Sequence, residues 1–188
     1  MGNGEWLVHS MSGTVVADET WIGGKLANRH GHKRGVCGQG VSDKTPVLSL
    51  VNEVTGEVRS RVIPNVTGVT LRKVMAEQVN MSASRLWTDE GQQYKALGLE
   101  FIVHQSVNHS AGQYVGRGGV STNMAEGYFS QLKRSLDGTH HHVSEDHLHR
   151  YVTEHDFRYT TCKMSDWGRM QTLAKQMNGR LSYKRLSA

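Results

Sequence analysis

The chain has little cysteine and little proline. Cys37 and Cys162 are the only cysteines among 188 residues, and no Cys-x-x-Cys pair occurs. Neither a zinc ribbon nor a disulfide framework is therefore expected in this chain, and a reducing cytosol is the simplest compartment. No apolar run approaches the roughly 20 residues of a membrane-spanning helix. The opening Met1-Gly2-Asn3-Gly4-Glu5-Trp6 has no secretory pattern, and Trp6 stands where a myristoylation signal needs Ser or Thr. No Gly-x-Ser-x-Gly turn is present, which removes the support for a serine-hydrolase reading. Gly116-Arg117-Gly118-Gly119 lacks the closing Gly-Lys-Ser/Thr of a phosphate-cradling loop. With only 2 Pro, no repeat and no low-complexity segment, the chain is not a linker or a disordered tail.

What is present is a globular composition, 37% hydrophobic and 21% charged, which is enough for one real core. The net charge is +5 with 11 His uncounted, which favours a polyanionic partner. Strands are expected at 14–22, 45–54 and 57–63, the last two joined by a hairpin turn at Thr55-Gly56. A helix over 69–80 precedes a strand at 84–90, a short helix at 92–97 and a strand at 100–104. A further helix opens at Thr122-Asn123, and Ser144-Glu145-Asp146 begins a last long one. This order suggests an α/β architecture, a ribonuclease-H-like mixed sheet flanked by helices. Residues 1–12 read as a short lead, 13–162 as the catalytic domain and 163–188 as a polar, basic tail.

Three acids stand where acid is otherwise unwelcome. Asp18 lies within an apolar strand, Asp89 ends another, and Glu126 sits in the first turn of a helix. Carboxylates brought together repel, so they are stable with cations between them, and hard oxygen ligands suit Mg²⁺ or Mn²⁺. Two such ions about 4 Å apart can activate a water or a 3′-hydroxyl against a phosphodiester. On the same helix face as Glu126 stand Asn123, Ser130 and Lys133, and Lys133 is placed to hold a phosphate. Taken alone, this face also reads as a solvated polar stripe with an Asn123–Glu126 capping box. The basic connection carrying Lys25, Lys33 and Arg34 reads equally as a phosphate contact or a solvated loop. His104 and His109 flank the acids, with DNA contact and a structural role both open. Trp21 and Trp87 read as core packing. His140, His141 and His142 are adjacent rather than spaced for zinc, and read as a turn.

The words around the acids carry more than their spacing. Asp18-Glu19-Thr20-Trp21-Ile22-Gly23-Gly24-Lys25, Trp87-Thr88-Asp89-Glu90, Val107-Asn108-His109-Ser110, Thr122-Asn123-Met124-Ala125-Glu126 with Leu132-Lys133-Arg134, and Val143-Ser144-Glu145-Asp146-His147-Leu148-His149-Arg150-Tyr151 with Phe157-Arg158-Tyr159 occur in this order. Together they resemble the insertion-sequence transposases of the ISXO2-like (IS1595) type, from about Val15 to Cys162. The resemblance implies a DDE-type catalytic core that cuts and rejoins DNA with Mg²⁺ or Mn²⁺, two ions being expected. It also implies a homodimer on DNA and a bacterial or archaeal cytoplasm near the nucleoid. Asp18 and Asp89 match the first two catalytic acids. The third position falls to Asn123 or Glu126; Glu126 is favoured for its charge and because Lys133 follows seven residues later, the Glu-to-Lys spacing of DDE transposases. The implied DNA contacts are Lys25, Lys33, Arg34, His109, Lys133 and Arg134. Transposases of this type usually carry a DNA-binding region ahead of the first Asp, and only 17 residues precede Asp18 here. A catalytic domain alone is the expectation, with a nuclease lacking strand transfer and an inert DNA-binding remnant as the alternatives.

Overall fold

The structure, a computed structural model, describes residues 9–23, 44–107, 120–140 and 143–175. Strand β1 spans Met11–Ile22, β2 Thr45–Asn52 and β3 Val58–Val62. Helix α1 (Gly68–Gln78) leads into β4 (Val79–Asp89), and the short α2 (Tyr94–Leu97) into β5 (Val103–Val107). Helices α3 (Asn123–Ser135), α4 (Glu145–Thr160) and α5 (Asp166–Ala174) follow. The five strands form one mixed sheet in the order β3-β2-β1-β4-β5. β1, β2 and β3 are antiparallel, while β4 and β5 run parallel to β1 and to each other. None of the described helices is long and apolar enough to cross a membrane.

Side chains of a strand alternate between its two faces, and the core divides accordingly. Val15, Ala17, Leu48, Leu50 and Leu86 pack with Leu71 and Met75 of α1 and with Tyr94 and Leu97. Val16, Val47, Val51 and Val58 pack on the other face with Ala125, Tyr128, Phe129 and Leu132 of α3 and with Leu148 and Val152 of α4. The alternation puts Asp18 and Ser49 on the α3–α4 face. Asp18 and Ser49 are cross-strand partners, and so are Ser49 and Ser60. A polar row thus crosses three strands of an otherwise apolar face.

Several element ends differ from expectation. β4 starts at Val79, immediately after α1, because Val79 is already extended and Val79 and Met81 are buried with Asn80 exposed, a period of two. β5 starts at Val103 rather than Glu100, because Gly98–Glu100 continue α2 as a tight helical turn and Ile102 points to solvent. Residues 136–140 form a single widened helical turn ending at His140, whose ring meets Tyr151 edge-on at 4.6 Å; His141 and His142 lie outside the described residues. The residues read as tail contain α5, none of whose side chains is buried.

Candidate active site

Val16 of β1 pairs with Trp87 of β4. Two residues further along each parallel strand stand Asp18 and Asp89, so the pairing of the strands brings these acids side by side at one end of the sheet. Both are half-buried. Each carboxylate is held by the backbone just after it. The Glu19 amide donates to Asp18 Oδ1 at 2.8 Å, and the Gly91 amide donates to Asp89 Oδ1 at 2.9 Å. A Cβ at Gly91 would run into Asp89 Oδ1 and the Gln93 side chain, so a side chain here would push both aside.

Helix α3 covers this end of the face and brings Glu126. Thr122 occupies the cap position, yet its hydroxyl makes no capping bond and donates instead to Glu126 Oε1 at 3.1 Å. The Asn123–Glu126 capping box that this face also allowed does not fit, because Thr122 and not Asn123 holds the cap position, and the carboxylate meets the Thr122 hydroxyl. Asn123 and Glu126 are both exposed, as are Lys133 and Arg134 two turns further on. Lys133 lies seven residues after Glu126, about 10 Å along the axis and nearly the same side of the helix. Lys25, Lys33, Arg34 and His109 lie outside the described residues.

The electrostatics tie the three acids together. Burial pushes the Asp18 carboxyl up to about 7; the Glu19 amide works against this, and the charges of Glu19, Asp89 and Glu126 push it further up. Neither Asp18 nor Asp89 pairs with a Lys or Arg among the described residues. Among those same residues no three His, Cys, Asp or Glu side chains are gathered closely enough to hold a metal ion as they stand. The acids share an electric field without sharing a coordination sphere.

Three neighbours were not singled out by the sequence pattern. Glu19 sits on the opposite face of β1, where burial also raises its carboxyl while Tyr94 beside it works the other way; the Glu19 Oε1 and the Tyr94 hydroxyl are buried without a well-formed hydrogen bond. Thr88 donates to the Asp89 carbonyl at 2.7 Å, which leaves its oxygen to accept from His104 Nε2 at 2.9 Å. His104 is therefore a structural support behind Asp89, with burial holding its ring below the usual histidine range. Asp156 of α4 is the third, and its signal was readable: it continues the i, i+4 spacing of Leu148 and Val152 into an acid. The expectation for the tryptophans holds only in part. Trp87 is half-buried with its indole N–H on Gln105 Oε1, whereas Trp21 is 46% exposed, because it lies near the end of β1.

The family model of the ISXO2-like transposase domain matches residues 10–160 of the chain. No curated protein matches it. Among solved structures, the catalytic core domain of BIV integrase is similar over 77% of this chain and 81% of that one, with a TM-score of 0.50 and 14% sequence identity. At that identity the likeness is one of fold, and the fold is ribonuclease-H-like.

Proposed function

The chain belongs to the ISXO2-like transposase domain family, and from that membership we propose that it is a metal-dependent catalytic domain that cuts insertion-sequence ends and joins them to target DNA. The observation that carries this reading is geometric: the parallel pairing of β1 and β4 sets Asp18 beside Asp89, and α3, which bears Glu126, packs on β1; the Asp18 carboxyl, raised first by burial, also responds to the charges of Asp89 and Glu126. That set offers only hard oxygens and carries excess negative charge, which fits Mg²⁺ or Mn²⁺. Asp18, Asp89 and Glu126 would hold it. A divalent cation there supplies positive charge at the phosphodiester and favours the ionised form of an attacking hydroxyl.

This chain's own residues do the rest. The amides of Glu19 and Gly91 fix one oxygen each of Asp18 and Asp89, which limits how far these two carboxylates can turn. We take Glu126 as the third acid because its charge neutralises a cation better than an amide does and because Lys133 follows it by seven residues; Asn123, a turn before it, orients water or DNA through its amide. Lys133 and Arg134 present cations to the DNA backbone from α3, and Lys25, Lys33, Arg34 and His109 extend that contact. In the cleavage step a water oxygen bonds to phosphorus as the bond to the 3′-oxygen breaks; the water loses a proton and the 3′-oxygen gains one. In the joining step a 3′-hydroxyl takes the place of the water. Joining two ends calls for two copies of the chain on DNA, acting at the nucleoid in the cytoplasm.

The test is a duplex with a free 3′-hydroxyl end, incubated with supercoiled plasmid in Mn²⁺ at low salt. Nicked and joined products are expected. Asp89→Asn should reduce both by more than about a hundredfold, the upper end of what disturbing a metal's outer shell alone costs. Nicking without joining would leave a nuclease, and salt-sensitive binding without cleavage would leave an inert remnant.

A further inference from the structure

Four polar side chains are buried in the apolar layer between the sheet and helices α3 and α4: Ser49, Ser60, Tyr128 and Asp156, the last 3% exposed. The Tyr128 hydroxyl donates to Asp156 Oδ1 at 2.5 Å, and the Ser60 hydroxyl lies 2.8 Å from the same oxygen. The Ser60 amide donates to Asp156 Oδ2 at 2.7 Å. Ser60 Oγ also lies 2.7 Å from Ser49 Oγ and 3.1 Å from the Tyr128 hydroxyl. A buried carboxylate is costly unless its oxygens are bonded, and both are bonded here.

Part of this network has a plain structural job. β3 is an edge strand, and α4 closes its edge with Asp156 on the Ser60 amide and Thr160 on the Val58 amide. That job does not need the Tyr128 hydroxyl, because phenylalanine would fill the same volume. The hydroxyl adds a directional tie between α3 and the sheet, where the surrounding Ala125, Phe129 and Leu132 contacts are apolar and tolerate sliding. Tyr128 stands two residues after Glu126, about 3 Å along the helix axis. Ser60, Ser49 and Asp18 are successive cross-strand partners. The tie therefore refers the helix bearing Glu126 to the same row of the sheet that bears Asp18.

We propose that Asp156 is a positioning residue of the acid site: through Tyr128 it fixes the rotation and height of α3 on the sheet, and so the place of Glu126 relative to Asp18. The inference rests on the reading of Glu126 as a metal-holding residue. Calorimetric titration of the full chain with Mn²⁺ alone tests it, on wild type, Tyr128→Phe, Asp156→Asn, Glu126→Gln and the Tyr128→Phe/Glu126→Gln double variant, each checked by a circular-dichroism melt. Tyr128→Phe and Asp156→Asn should bind Mn²⁺ about tenfold more weakly while folded. In the Glu126→Gln background Tyr128→Phe should cost nothing further, because its effect runs through Glu126. Wild-type affinity in Tyr128→Phe, with Glu126→Gln weakened, overturns the positioning role and leaves the acid site standing. An equal loss from Tyr128→Phe in both backgrounds overturns it too. No Mn²⁺ binding by wild type, or none lost in Glu126→Gln, overturns the acid-site reading and this inference with it. Tyr128→Phe preserves the shape of the core and keeps the test decisive if Asp156→Asn unfolds.

Discussion

Asp18 and Asp156 lie on the same face of one sheet, and burial pushes both carboxyls up to about 7. Their neighbours differ in kind. Around Asp156 stand the Tyr128 hydroxyl, the Ser60 hydroxyl and the Ser60 amide, all of which favour the charged form, with Arg61 adding its positive charge. Around Asp18 stand one amide and three other carboxylates, which oppose it. The same net shift thus describes a closed site and an open one. Asp156 has its partners within the fold; Asp18 lacks positive charge that the described residues do not provide. A raised carboxyl does not by itself mark a reactive group, and the sign of the neighbours separates the two cases.

The comparison can be broken most forcefully at Asp156. Asp156→Ala removes the acceptor of three buried donors and should cost about 3–5 kcal/mol, read as a lowered urea midpoint with an unchanged slope. A loss under 1 kcal/mol would mean that the network is not what holds α4 to β3.

Asp18 should respond in the opposite direction. Its folded carboxyl is raised above the unfolded value of 3.8, so the stability it contributes is full below that value and is lost as pH rises through about 7. Asp18→Asn is free of that loss. Above pH 7 it should be more stable than wild type by about 2–4 kcal/mol, or roughly 2–4 °C in melting temperature for each kcal/mol, and the gain should vanish near pH 4. Asp156 titrates in the same window and leaves a residual slope in both proteins. A variant no more stable than wild type at pH 8 would contradict the crowding of charge at Asp18.

Millimolar Mn²⁺ should narrow the difference by stabilising wild type and not Asp18→Asn, by about 1–3 kcal/mol at 10 to 100 times the dissociation constant. An equal upward shift in both proteins would place the ion elsewhere. The smallest effect is expected at Gly91→Ala. Its Cβ collides with Asp89 Oδ1 and the Gln93 side chain, a strain of about 1–2 kcal/mol that should move the Asp89 carboxylate and weaken Mn²⁺ binding severalfold.

How much of this was legible in the chain differs from residue to residue. The β-rich run holding Asp18, the alternation around Leu86 and Trp87, and the apolar stripe of α3 through Tyr128, Phe129 and Leu132 all follow from period alone. So do the existence and order of the strands, which is why an α/β sheet could be expected. The start of β5 could not be placed, because Gly98–Glu100 extend a helix only where Phe101 turns inward and Ile102 outward. Thr122 stands at the start of α3, where its hydroxyl could bond a backbone amide or the Glu126 carboxylate four residues on; residue type left that choice open, and the hydroxyl takes Glu126. Asp156 sat in plain view on an apolar stripe, yet nothing local shows that its partners are Ser60 and Tyr128, 96 and 28 residues away.

Local pattern determined the elements, the placing of Asp18 within a strand, Asp89 at a strand end and Glu126 at a helix start, and the membership of the chain in its family. Tertiary structure alone decided which acids share a field. Strand pairing sets Asp18 beside Asp89, and the docking of α3 brings the charge of Glu126 to bear on Asp18. Periodicity records which way a side chain points along its own element, whereas the distance between charges depends on how elements pack, and the cost of a buried charge depends on that distance and on what fills the space between.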